Sequence, residues 1–208
     1  MYQNFDLICG TSTGGIMAIA LALGIPAKRF TNFILTMLKR FSVTKRFLRR
    51  FKFAAHKRDA LEKLIKDKYK AYHNGEDGED PRLKHCKTHV AIPIYDLMEG
   101  RPSVLKSNYH PAFVRDFHIP AYQAALATSA APTYFDPYSA LYTDLNGLEK
   151  PFQNKVDGGV FANNPSLNGI VEAQKAFNLE LKDLSVYQLE QVINAFVMQE
   201  LTRIKNIR

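Results

Sequence analysis

Three strand–turn–helix successions in 208 residues predict an α/β fold with a mainly parallel sheet. The first runs from the apolar stretch Phe5-Asp-Leu-Ile-Cys9 through glycines into an Ala-rich helical run. The second runs from β-rich Thr88–Tyr95 to the helical stretch 119–130. The third runs from Lys155-Val-Asp157 through Gly158-Gly159 into residues 165–177.

The elements follow in order. Residues 4–9 read as a strand and 14–23 as a helix, which Pro26 ends. Apolar residues near a 3.6 period predict a second helix over 27–41. Asp59 is placed to cap a helix over 60–69, with Leu61, Leu64 and Ile65 on one face. Residues 73–82 hold Asn-Gly, Asp-Gly and four acids, and predict an exposed loop. Residues 88–95 read as a buried strand despite Pro93, and 101–106 as another. Pro120 suits the first turn of the helix over 119–130, and Ala131-Pro132 ends it. Asn164 suits the cap of the helix over 165–177. A strand starts at 183–187, and Leu189, Val192, Ile193, Phe196 and Val197 then have helical spacing. Residues 188–208 are therefore expected to form a C-terminal helix. No repeat, low-complexity stretch or linker divides the chain, so one domain over 1–208 is expected.

Composition narrows the classes. At 46% hydrophobic and 23% charged, the chain has the make-up of a globular protein with a sizeable core. No apolar run reaches the ~18 residues of a membrane span, and no basic region followed by an apolar run opens the chain. Two cysteines, Cys9 and Cys86, are too few for a disulfide framework and lack metal-ligand spacing. A reducing compartment, cytoplasmic or at the periphery of a membrane, is the expectation.

The net charge of +8 is concentrated: residues 39–58 hold nine Lys or Arg and no acid. Within this stretch Lys45, Arg46, Phe47, Arg49, Arg50 and Phe51 interleave cations with rings. Such a pattern suits an anionic membrane surface, a nucleic-acid stripe, or a solvated helix face with its rings in the core. Of the two ligand-binding readings, the membrane one connects with the chemistry below, and no nucleic-acid partner is expected.

That chemistry begins at Gly10-Thr-Ser12-Thr13-Gly14-Gly15. A G-x-S-x-G between strand and helix is the context of a nucleophile elbow. The turn holds the serine in strained geometry, and small neighbours let strand and helix approach. The N–H of Thr13, at the helix start, is a candidate oxyanion donor. A serine hydroxyl needs an adjacent base. The six histidines are His56, His73, His85, His89, His110 and His118, and none lies in the last ninety residues, where an α/β-hydrolase order would put it. Asp157 closes a β run and is followed by Gly158 and Gly159, which leave a carboxylate room to face a cleft. A solvated aspartate is a weak base, with a pKa of ~3.9. It can serve only within direct hydrogen-bond reach of the serine. An ordinary Asp-Gly turn is the alternative reading.

Taken together, Gly-Thr-Ser-Thr-Gly-Gly at 10–15, Ala-Thr-Ser-Ala-Ala-Pro-Thr-Tyr-Phe at 127–135, and Asp-Gly-Gly at 157–159 with Asn-Asn-Pro at 163–165 resemble the patatin-like phospholipases. The resemblance covers about residues 4–187. It implies a three-layer α/β/α sandwich, a Ser12–Asp157 dyad without histidine, lipid-ester substrates such as phospholipids, and no obligatory metal or cofactor. Thr128 and Ser129, among small residues, read as packing rather than as a second nucleophile. The family also carries a glycine-rich loop before its nucleophile, of the kind Asp-Gly-Gly-Gly-x-Arg-Gly, which supplies oxyanion donors. The eleven residues before Ser12 contain no such loop. The expectation is a domain lacking its first and last strands, with an exposed sheet edge that association could cover. A serine acyl hydrolase working through an acyl-enzyme is the leading reading. A catalytically impaired lipid- or membrane-binding remnant is the alternative, and acyl transfer or thioester hydrolysis is a third.

Overall fold

A computed structural model describes residues 2–26, 54–73, 79–190 and 200–205. Their strands are β1 (Leu7–Gly10), β2 (His89–Asp96), β3 (Arg101–Lys106), β4 (Tyr138–Thr143), β5 (Glu149–Asp157), β6 (Ser185–Glu190) and β7 (Glu200–Lys205). The helices are α1 (Thr13–Ala22), α2 (Ala54–Lys70), α3 (Ala121–Thr128), α4 (Gly159–Ala162) and α5 (Ser166–Phe177). One sheet holds all seven strands in the order β4-β5-β2-β1-β7-β6, with β3 also on β2.

Alternation along β1 sorts the core into two layers. Ile8 faces one side with Val90, Ile92 and Ile94, where Ile16 and Ile19 of α1, Ile65 and Tyr69 of α2, and Leu126 of α3 pack. Leu7 and Cys9 face the other side with Ala91 and with Ala173 of α5. Helices thus lie on both faces, the arrangement of an α/β/α sandwich. α1 is apolar nearly all round, which suits a helix buried on every side.

The α/β class is as expected, but the sheet is more antiparallel than the alternation suggests. β1 and β2 pair in parallel, whereas β2–β3, β2–β5, β4–β5, β1–β7 and β6–β7 are antiparallel. Two of these pairs are hairpins, β2–β3 and β4–β5. The second turns at Asp144-Leu-Asn-Gly147, where Asp144 Oδ1 accepts the N–H groups of Asn146 and Leu148.

Register explains how the site is assembled. Ala91 pairs with both Cys9 and Lys106, while Ile94 pairs with both Ser103 and Asp157. β3 therefore takes one edge of β2, and β1 and β5 share the other, end to end. β1 runs parallel to β2 and β5 antiparallel, so their C-terminal ends meet head to head across the gap at Ile92-Pro93.

Three expectations are corrected. The C-terminal helix over 188–208 is overturned at both ends: residues 185–190 and 200–205 are strands paired with each other. Residues 191–199 and 206–208 lie outside the described residues. Pairing with β7 draws residues 185–190 into a strand, which the helical spacing of Leu189 with later apolar residues does not record. β1 is not an exposed edge either, because β7 pairs along Leu7–Gly10, and so gives no reason for association. The helix beginning near Asp59 starts earlier, at Ala54, and Asp59 lies inside it.

Candidate active site

Ser12 stands between β1 and α1 with φ 58° and ψ −129°, a region that non-glycine residues rarely enter. The strain persists because the elbow is fastened on several sides. The Thr11 hydroxyl donates to Ala162 O at 2.8 Å, and the Ser12 N–H donates to Thr128 Oγ1 at 3.1 Å. The N–H groups of Gly15 and Ile16 donate to Ser12 O at 2.9 and 3.2 Å.

The glycines make the close approaches possible. A Cβ on Gly10 would lie 2.2 Å from Gly14 O, so the strand end and the helix start touch backbone to backbone. A Cβ on Gly15 would lie 2.5 Å from Thr128 Cγ2, and one on Gly158 would lie 2.2 Å from Pro93 O.

The structure brings Ser12 and Asp157 together: Ser12 Oγ donates to Asp157 Oδ2 at 2.5 Å. Asp157 Oδ1 accepts the Gly159 N–H at 2.7 Å, and its own N–H donates to Ala130 O at 3.0 Å. The carboxylate is therefore held at both oxygens. It is only 4% exposed, and burial pushes its pKa above the usual aspartate value, against the opposing pull of the Ser12 and Gly159 hydrogen bonds. A buried carboxylate with a raised proton affinity, in line with a hydroxyl, can act as a general base. Thr13 and Gly14 are the first residues of α1, whose N–H groups have no partner within the helix. The Ser12 N–H, by contrast, is committed to Thr128.

Val156 and Val160, which bracket Asp157-Gly158-Gly159 in the chain, line a groove of about 380 Å³ with Tyr95, Leu97, Pro132, Thr133 and Phe135, and neither Ser12 nor Asp157 lines it. Thr133, a β-branched residue of that groove, holds φ 71°, also in the left-handed region.

Lys45, Arg46, Phe47, Arg49, Arg50 and Phe51 lie outside the described residues, as does the helix expected over 27–41. Of the basic stretch, Arg58 is described. It donates to the carbonyls of Asp136 and Pro137 and lies over the Phe135 and Tyr138 rings at 5.5 and 5.9 Å. That cation fastens the loop before β4. Among the described residues, no helix is long and apolar enough to cross a membrane.

Sequence reasoning missed the hydroxyl of Thr128 as a partner of the elbow. Its one legible signal was a threonine among alanines, which packing alone does not require. It also missed β4, although Tyr138-Ser-Ala-Leu-Tyr-Thr143 before Asp-Leu-Asn-Gly has the look of a hairpin strand.

Comparison with known proteins places the chain in a family. The chain is 32% identical over 206 residues to a cGAMP-activated phospholipase of Vibrio cholerae, covering 94% of this chain and 53% of that protein. A cGAMP-activated phospholipase of Escherichia coli is 32% identical over 200 residues, covering 90% and 51%. Patatin-like protein 2 of Arabidopsis thaliana is 32% identical over 186 residues, covering 81% and 42%. The chain spans about half the length of these relatives. The family model for patatin-like phospholipases matches residues 1–167, and the chain belongs to that family.

Proposed function

We propose that this chain carries the chemistry of a lipid acyl hydrolase, with Ser12 as nucleophile and Asp157 as general base. The observation that carries the reading is the direct 2.5 Å hydrogen bond from Ser12 Oγ, in a strained elbow, to Oδ2 of the buried Asp157. Ser12 Oγ attacks the ester carbonyl carbon while its proton passes to Asp157 Oδ2. The oxyanion forms at the start of α1, where the Thr13 N–H and the helix dipole favour negative charge. Collapse breaks the ester C–O bond, the departing alkoxide takes the proton from Asp157, and an acyl-Ser12 remains. Water, deprotonated by Asp157, then releases the carboxylic acid and restores Ser12. Removal of a single oxyanion donor costs on the order of 10²–10³ in rate, which is the scale of what the N–H groups at the start of α1 contribute.

Membership of a phospholipase family supports phospholipids or related lipid esters as substrates. The basic, aromatic stretch 39–58 supports contact with an anionic bilayer. Release of fatty acid from short- and long-chain esters by the chain and by Ser12→Ala tests the reading. We expect Ser12-dependent release; equal background rates in the two proteins would overturn it. Binding to anionic liposomes at low and high salt tests the membrane contact, which predicts a salt-sensitive preference for anionic lipid.

A further inference from the structure

Thr128 closes α3, is fully buried, and joins three elements through one hydroxyl. Its Oγ1 accepts the Ser12 N–H at 3.1 Å and donates to Pro93 O at 2.7 Å. A threonine hydroxyl has a single proton. An amide can only donate, so that proton is committed to Pro93 and the direction of both bonds is determined. Pro93 lies where β1 and β5 meet along β2, so its carbonyl sits in the gap between their ends. Two glycines leave room for the arrangement: Gly15 for the Thr128 methyl and Gly158 for the Pro93 carbonyl.

We infer that Thr128 is a positioning residue for the nucleophile: its hydroxyl holds the Ser12 amide against β2, keeps the elbow in its strained conformation, and withholds the Ser12 N–H from the oxyanion. A strained φ persists only where surrounding bonds over-determine it. Of the bonds that fasten the elbow, this one acts on the amide of Ser12 itself. Without it the Ser12 N–H loses its partner, and relaxation of φ swings Oγ away from Asp157 Oδ2. The effect falls on the chemical step, because Thr128 is enclosed and out of reach of substrate.

The catalytic arm of the test rests on the proposed hydrolase activity; a second arm does not. Thr128→Val keeps the shape and removes the hydroxyl, whereas Thr128→Ser keeps the hydroxyl. On a soluble short-chain ester, Thr128→Val is expected to lower kcat by about 10–100-fold with little change in KM, and Thr128→Ser to retain most of the activity. Wild-type kcat in Thr128→Val, or equal loss in both variants, overturns the inference. Amide hydrogen exchange of the wild-type chain supplies the second arm. The Ser12 N–H should exchange far more slowly than the Thr13 N–H, and exchange at a similar rate overturns the tether without any variant. If the wild type hydrolyses no more ester than Ser12→Ala while the Ser12 amide is protected, the hydrolase reading fails and the tether stands.

Discussion

At the scale of single residues, Asp157 carries opposite consequences for stability and for chemistry. Burial raises its pKa in the folded state, so the folded protein binds the proton more tightly than the unfolded chain. The stability from that proton is fully present below the ordinary aspartate value, and is lost as pH rises through the folded value. Asp157→Asn removes this dependence. Asparagine can still accept the Gly159 N–H, so the variant should melt no lower than wild type near neutral pH, and this advantage should vanish in acid. Hydrolysis should fall at least ~10³-fold in the same variant. In the wild type, the proposed base works only when ionised, so kcat/KM should decline as pH falls through the raised value. Thermal melts and rate profiles across pH read both effects; a melting loss of several degrees at neutral pH in Asp157→Asn would count against the burial argument. The glycines are equally specific. Gly15→Ala brings a methyl to 2.5 Å from Thr128 Cγ2. We expect a loss of about 1–3 kcal/mol in urea unfolding, together with reduced turnover as Thr128 is pushed off the Ser12 amide.

Elements position these residues through a few buried polar contacts. The Tyr69 hydroxyl of α2 donates to Ile16 O of α1 at 2.7 Å, so α2 braces the helix that begins at the elbow. Tyr69→Phe should cost about 1 kcal/mol in urea unfolding, without altering the Ser12–Asp157 pair. On the other face, Lys106 of β3 pairs with Glu172 of α5 at 2.7 Å, and the Tyr109 hydroxyl donates to the same carboxylate at 3.0 Å. Lys106→Met would leave that carboxylate largely enclosed with one neutral donor, at a cost of about 3 kcal/mol. Equal stability of wild type and variant in chemical denaturation would show that the pair contributes nothing. Composition and helix-start signals made α1, α3 and α5 legible, through an Ala-rich run, Pro120 and Asn164, and periodicity marked the face of α2 that carries Leu61 and Ile65. Periodicity failed after residue 187, where Leu189 lies in a strand although its spacing with later apolar residues is helical. Pairing with a distant strand decided that segment, and local spacing does not record it. β4 went unread for a related reason: its burial alternates along the edge of the sheet, so it lacks a long apolar run.

For the molecule as a whole, the antiparallel pair of β6 and β7 covers the outer edge of β1, the strand that delivers the nucleophile. Removing residues 185–208 should leave that edge unpaired, and concentration-dependent association in light scattering is the expected outcome. A truncated chain that stays monomeric and keeps its melting temperature would show that the β6–β7 pair is dispensable. The sequence by itself determined the strand–elbow–helix unit around Ser12, the Asp-Gly-Gly turn, the α/β class and the family. Each of these rests on short-range chemistry: glycines where backbones touch, an apolar run before a turn, a carboxylate at a strand end. Only the tertiary structure decided that Ser12 and Asp157, 145 residues apart, stand 2.5 Å from each other. It did so because β1 and β5 meet end to end along one edge of β2, a pairing set by register rather than by any local motif. The same gap gives Thr128 its two hydrogen-bond partners, so a threonine that reads as packing in the chain becomes a brace for the nucleophile in the fold.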